Sequence, residues 1–157
     1  MRQKLNYLAI ASLCFQYWIT VRALFGSARL PERIPVHFDG MGNPNGWGSS
    51  QSLPLLPLIA IGVYLLLTMV SRFPAYFNYP VKVTEENRER LQSLTIEMLA
   101  WVRLEVVLLF TAIQSISVFA AYHPQGGVSQ WLAAPVPVLI AMLAATLIRY
   151  IFVMNAV

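Results

Sequence analysis

Long apolar runs alternate with shorter polar stretches along the chain. Four of the runs, residues 5–25, 53–70, 99–122 and 135–154, hold roughly 20 mainly apolar residues each, the length that carries an α-helix across the hydrocarbon core of a bilayer. Asn6, Gln16 and Arg22 are the main polar interruptions of the first. The second and fourth open on prolines, Pro54 and Pro57 in one and Pro135 and Pro137 in the other. A first helical turn tolerates proline because its N–H groups have no intrahelical acceptor. Tyr7, Trp18, Trp101, Tyr122, Trp131 and Tyr150 fall near run ends, as an interfacial aromatic belt does. The pattern predicts an all-α integral membrane four-helix bundle with a structured loop between helices one and two.

Composition supports the bilayer as solvent. The 157 residues are 57% hydrophobic and 11% charged, against about 25% charged in a typical soluble domain. The net charge of +4 is modest. Basic residues sit at run ends and form no patch for nucleic acid, so lipid is the expected partner. The lone cysteine, Cys14, lies inside an apolar run and carries no disulfide framework. The first run exceeds the roughly 7–15 residues of a signal-peptide core, so it reads as a retained helix.

The same basic residues orient the chain. Arg2 and Lys4 precede the first run, and Arg72, Lys82, Arg88 and Arg90 follow the second; Arg29 and Arg33 are the basic residues of the loop between them. By the positive-inside rule both termini and the middle connection are cytoplasmic, and residues 26–52 face outward. Thr84, Glu85 and Glu86 then read as a capped helix start. It runs into the third span, and residues 84–98 offer a candidate surface for a cytoplasmic regulator.

The most distinctive stretch is the outer loop. Pro31 and Pro35 favour extended backbone, and Asn43-Pro44-Asn45-Gly46 has turn chemistry. Trp47 suits the headgroup level before helix two. The spacing Leu30-Pro31-Glu32-Arg33-Ile34-Pro35-Val36-His37-Phe38-Asp39, followed by Gly42, Pro44 and Asn45-Gly46-Trp47, closely resembles the membrane domain family DUF1648. Asn78-Tyr79-Pro80 resembles the asparagine-proline segment that follows helix two in that family. The resemblance implies a small prokaryotic multipass protein of the cell membrane, with residues 1–80 as the family-like module and residues 81–157 as a juxtamembrane helix plus a transmembrane hairpin. Relatives of the SdpI type act in immunity to a secreted toxic peptide and in signalling. Two departures stand out: Ser50-Gln51 where the family often has lysine, and no second module of the Arg-Thr-Pro-Trp kind.

Candidate chemistry is sparse. His37 and Asp39, with His123 as a third group, have the composition of a divalent site. Counted from Met41, however, the loop lacks the acidic residues of an EF-hand at its first and twelfth positions. No Gly-x-Ser-x-Gly elbow, His-Glu-x-x-His pair or phosphate loop is present. The reading is therefore a non-enzymatic protein, without metal or other cofactor, that senses or blocks an extracytoplasmic ligand such as a secreted peptide. His37, Phe38, Asp39, Asn43, Asn45, Gly46 and Trp47 are its candidate contact residues. The alternatives are an oligomeric transport or channel-like subunit and a metal-dependent membrane enzyme. Within the third span, Arg103 is expected to snorkel to cytoplasmic headgroups. Glu105 is expected to pair with Arg149 on an antiparallel fourth helix, with the turn centred near Gly126-Gly127.

Overall fold

A computed structural model describes residues 1–27, 29–39, 43–123 and 134–157. It contains helix α1 (Arg2–Phe25), strands β1 (Arg33–Phe38) and β2 (Pro44–Ser49), and helix α2 (Leu55–Val70). Helices α3 (Arg88–Tyr122) and α4 (Pro135–Asn155) follow. All four helices are long and apolar enough to cross a membrane when α2 is counted with the short 3-10 turn before it. The chain is a multipass membrane protein.

The helices do not surround a shared axis evenly. Helix α3 contacts each of the other three and also β1, whereas α4 packs chiefly on α3. Half of the most apolar window of α3 is buried against 6% of that of α4, so α3 is the hub and α4 lies outermost. Leu5 and Ala9 pack on Ala100 and Leu104, and Ala23 packs near Ala121. Helices α1 and α3 therefore run parallel. Tyr150 and Met154 meet Leu91, while Val136 meets Ile116 and Ala120, so α4 is antiparallel to α3. Both termini consequently lie at the end of the bundle opposite strands β1 and β2. Buried alanines (Ala9, Ala23, Ala100, Ala120, Ala121) allow the close backbone approach on which association in lipid depends.

A polar seam runs along the contacts of α1, α2 and α3. Tyr64 donates to Asn6 Oδ1 (2.8 Å), and the Ser12 and Thr111 hydroxyls share a hydrogen bond of 2.8 Å. Gln16 Nε2 donates to the Phe110 carbonyl (3.2 Å), and Gln114 Nε2 to Thr20 Oγ1 (2.8 Å) and to the Leu53 carbonyl (3.1 Å). The last bond has a covalent cause. In a helix, Leu53 C=O would accept from the N–H of residue 57, but that residue is Pro57 and has none. The amide of Gln114 supplies the missing donor.

Helix α3 has 35 residues, roughly 50 Å at 1.5 Å per residue, against a hydrocarbon core of about 30 Å. It therefore projects well beyond the bilayer at its N-terminal end, as the reading of one long helix running into the third span expects. The helix begins at Arg88, later than the expected start at Thr84, and its N-cap Asn87 makes no side-chain cap bond; in the turn before it, Asn87 N–H donates to Thr84 Oγ1 (3.3 Å) and Thr84 N–H to Asn87 Oδ1 (2.8 Å). Tyr79 and Val81 pack beside Leu91, leaving Arg88, Glu89 and Arg90 exposed.

Two expectations for the third span need correcting. Arg103 does not snorkel: it is 8% exposed, its Nη1 donates to Thr68 Oγ1 (2.7 Å), and its guanidinium lies 5.4 Å from the Tyr64 ring centroid. Helix α2 offers it a hydroxyl and an aromatic face within the bundle. Glu105 faces α4 as expected, but its partner there is Thr146, whose hydroxyl donates to Oε1 at 2.7 Å. The Arg149 guanidinium lies instead over the Tyr150 ring, 5.6 Å from its centroid, and Oε2 of Glu105 has no hydrogen-bond partner. The helix pairing and depth agree with expectation to within one turn. What differs is the direction of Arg149, whose long side chain lies on the exposed side of α4. The turn near Gly126-Gly127, together with Trp131, lies outside the described residues.

Candidate functional site

The connection between α1 and α2 is a β-hairpin, which an all-α reading does not contain. β1 and β2 pair antiparallel, with Arg33 opposite Ser49, Ile34 opposite Gly48, Pro35 opposite Trp47, His37 opposite Gly46 and Phe38 opposite Pro44. The register shifts around His37. That irregularity interrupts the in-out alternation, so Ile34 and Pro35 are both buried while Val36 and His37 are both exposed.

The expected turn at Asn43–Gly46 is displaced. Pro44, Asn45 and Gly46 belong to β2. Asp39 and Asn43 join the strand ends. Asp39 N–H donates to the Asn43 carbonyl (2.9 Å), while Asp39 Oδ1 and Oδ2 accept from Asn43 N–H and Nδ2 (2.9 and 3.2 Å). The two glycines of β2 serve close approach, as glycines inside strands often do. A Cβ on Gly46 would stand 2.8 Å from His37 Cβ, and one on Gly48 would stand 3.0 Å from a Val36 methyl. Gly46→Val should therefore destabilise the hairpin by about 1–3 kcal/mol, the range for overpacking. Gly62→Ala, with nothing within 4 Å of its added methyl, should cost nothing. Thermal unfolding of the two variants in one detergent checks the contrast.

The hairpin is fastened from beneath. Ile34 is fully buried among Ala23, Leu53 and Ala121, and Phe38 packs beside Ile116 and Ala120. Ser50 N–H donates to the Glu32 carbonyl (2.9 Å), extending the ladder to the head of α2. The opposite surface is polar and open. His37 Nδ1 and Asn45 Oδ1 are hydrogen-bonded. Trp47 is 45% exposed, and its carbonyl accepts from Arg33 Nη2 (3.2 Å). Beside it a shallow recess is lined by Glu32, Arg33, Trp47 and the backbone and side chains of residues 48–51.

The candidate residues thus divide by task. Phe38 anchors, Asp39 and Asn43 join the strand ends, Gly46 permits strand approach, and His37, Asn45 and Trp47 form the outward surface. His123 is held on its own helix, with Nδ1 bonded to the Phe119 carbonyl (2.9 Å) and its ring stacked on Phe119. Among the described residues, no three of His, Cys, Asp and Glu gather as a metal site, so His37, Asp39 and His123 are not brought together. Glu32, Arg33 and Ile34 stand in the distinctive run of the sequence but are not among its candidate contact residues. The Ile34-Pro35-Val36 run was the hairpin's available signal, a short β-branched stretch flanked by loop residues.

Comparison with known proteins finds matches over this part of the chain. Residues 13–61, which hold the second half of α1, the hairpin and the start of α2, match the family described as "Domain of unknown function (DUF1648)". A protein of Archaeoglobus fulgidus described as uncharacterized is 33% identical over 99 residues, covering 54% of this chain and 51% of its own. The match thus spans about half the length of that relative. No solved structure matches. A hairpin clasped between two membrane helices is the part of the molecule that the family match covers.

Proposed function

We propose that this is a non-enzymatic membrane protein whose hairpin faces outward and senses or blocks an extracytoplasmic ligand, a secreted peptide being the class that suits it. One observation carries the reading: the hairpin is rigidly seated by Ile34 and Phe38, yet it presents His37, Asn45, Trp47 and the recess beside Arg33 on an exposed surface. A mere connector has no need of such a fastened surface. A peptide of extended backbone finds there an indole face, a guanidinium and backbone groups, the contacts that recognition surfaces commonly use. The exposed residues of α3 near Arg88 and Arg90 suit a cytoplasmic regulator in the signalling version of this role.

Deletion of the gene, followed by challenge with the producing cell's own secreted peptides, tests the role. Protection should be lost with the gene and restored by the parent chain. His37→Ala or Trp47→Ala should fail to restore it while protein persists in the membrane. If both restore protection fully, the hairpin is not the contact surface.

Orientation belongs to the same proposal. The basic residues at the N-terminus and around Lys82 put both ends of the chain in the cytoplasm. With Cys14 replaced by serine, a cysteine at Asn45 should react with an impermeant maleimide added to intact cells, and one at Lys82 should react only after permeabilisation. Outside labelling at Lys82 reverses the topology.

A further inference from the structure

Arg103 is a cation that the bundle holds but does not neutralise. It is 8% exposed, at the contact of α3 with α2. Its Nη1 donates to Thr68 Oγ1 at 2.7 Å. Thr68 gives its own hydrogen to the Tyr64 carbonyl (2.7 Å), so a lone pair faces the guanidinium. The Tyr64 ring is the other neighbour, and both partners are neutral. Arg103 Nε is buried without a hydrogen-bond partner. Glu105, the nearest acid in the sequence, is bonded to Thr146 on α4 instead.

A buried carboxyl can shed its charge by taking a proton, but a guanidinium stays charged throughout the physiological range. An unpaired charge in a low dielectric is costly until an anion answers it. Depth selects the anion. From Arg103 to Tyr122, α3 rises roughly 28 Å at 1.5 Å per residue, against a hydrocarbon core of about 30 Å. With Tyr122 at one boundary, as an interfacial tyrosine, Arg103 lies near the other, at the end of the bundle that holds both termini. Lipid headgroups begin at that level. Thr68 lies in the last turn of α2, and Arg72, about one turn further along the chain, is exposed. Residues 71–84 hold Arg72 and Lys82 and no acid. We propose that Arg103, together with Arg72, forms a binding site for the phosphate of an anionic phospholipid in the adjoining leaflet. Basic sites between membrane helices bind such headgroups, and the planar fork of arginine matches two phosphate oxygens. Thr68 engages Nη1, which leaves the Nε–Nη2 edge for the phosphate. A zwitterionic headgroup carries its own cation and is the poorer fit. The site is independent of any role of the outer hairpin.

The full chain in detergent micelles, incubated with equimolar phosphatidylglycerol and phosphatidylcholine of the same acyl chains, tests the site. Retained lipid is counted by native mass spectrometry, and thermal unfolding is followed in each lipid. The parent should retain phosphatidylglycerol several-fold over phosphatidylcholine and unfold at a higher temperature with it. Arg103→Gln should remove the preference, and Arg103→Lys, which keeps the charge without the fork, should keep only part of it. Arg72→Gln alters an exposed residue. It should weaken the preference several-fold while unfolding at the parental temperature in phosphatidylcholine, so the test stands even where Arg103→Gln fails to fold. Arg88→Gln combined with Arg90→Gln removes exposed charge from the projecting end of α3 and should leave the preference unchanged. Equal retention of the two lipids by the parent overturns the proposal. So does a preference that survives Arg103→Gln, that Arg72→Gln leaves at the parental level, or that falls as far in the Arg88, Arg90 double variant. Inorganic phosphate at matched ionic strength should not raise the unfolding temperature as phosphatidylglycerol does; an equal rise would assign the site to a free anion and sink the lipid.

Discussion

Replacing Ile34 by alanine should destabilise the protein by about 2–5 kcal/mol and release the hairpin from the end of the bundle. Ile34 is among the largest side chains with no exposed surface in the described residues, and its neighbours Ala23, Leu53 and Ala121 come from three different segments. Alanines cannot grow into the space, so truncation leaves a cavity at the point where α1, the hairpin and α3 converge. The hairpin itself is a two-stranded sheet, which is marginal in water without such packing. Two readouts separate seating from global stability. Thermal unfolding in detergent reports the loss of stability. Cysteine reactivity at the buried Pro35 position should rise steeply in the Ile34→Ala background while reactivity at exposed Asn45 stays high in both. A variant that unfolds at the parental temperature and keeps position 35 protected would show that Phe38 and the ladder alone hold the hairpin.

The second large effect is expected inside the membrane. Gln114→Leu keeps the volume but removes both donors of the amide, leaving the Leu53 carbonyl and Thr20 hydroxyl without it. Thr20 can still donate to the Gln16 carbonyl, where it already bonds at 2.7 Å. The Leu53 carbonyl has no alternative, because Pro57 carries no N–H. The cost should be about 1–3 kcal/mol, that of stranding one buried acceptor, although interhelical bonds in lipid often measure nearer 0.6 kcal/mol. Pro57→Ala separates the two. It restores an intrahelical donor for Leu53, so Gln114→Leu should cost less in the Pro57→Ala background than in the parent. Equal costs in both backgrounds would mean that the Leu53 carbonyl is not what Gln114 serves.

Much of the architecture follows from the chain alone, because lipid leaves little choice. A bilayer has no donors or acceptors for stray backbone, so four apolar runs of sufficient length become four helices whatever their neighbours are. Aromatic and proline positions mark their ends for the same local reason. The outer loop was recognisable by spacing, since residues such as Pro35, Gly46 and Trp47 carry backbone and packing preferences that depend little on distant contacts.

What only the tertiary structure decided is which polar groups meet. Ser12, Gln16 and Thr20 recur every four residues, a one-sided stripe visible in the sequence, but their partners are determined by how α1 lies on α3. Arg103 and Glu105 are two residues apart and so face different ways on α3. That the first meets α2 and the second α4 depends on the order of helices around the hub. The hairpin makes the same point at smaller scale. Local turn chemistry favours a reversal at Asn43–Gly46, yet Asp39 and Asn43 join the strand ends and Gly46 is placed against His37. Seating Ile34 and Phe38 on α3 determines that register, because a slip of one residue would turn both anchors away from the bundle. Single residues determine where a helix begins or a chain extends. Pairings between segments depend on a packing energy shared by all of them, and no local pattern encodes it.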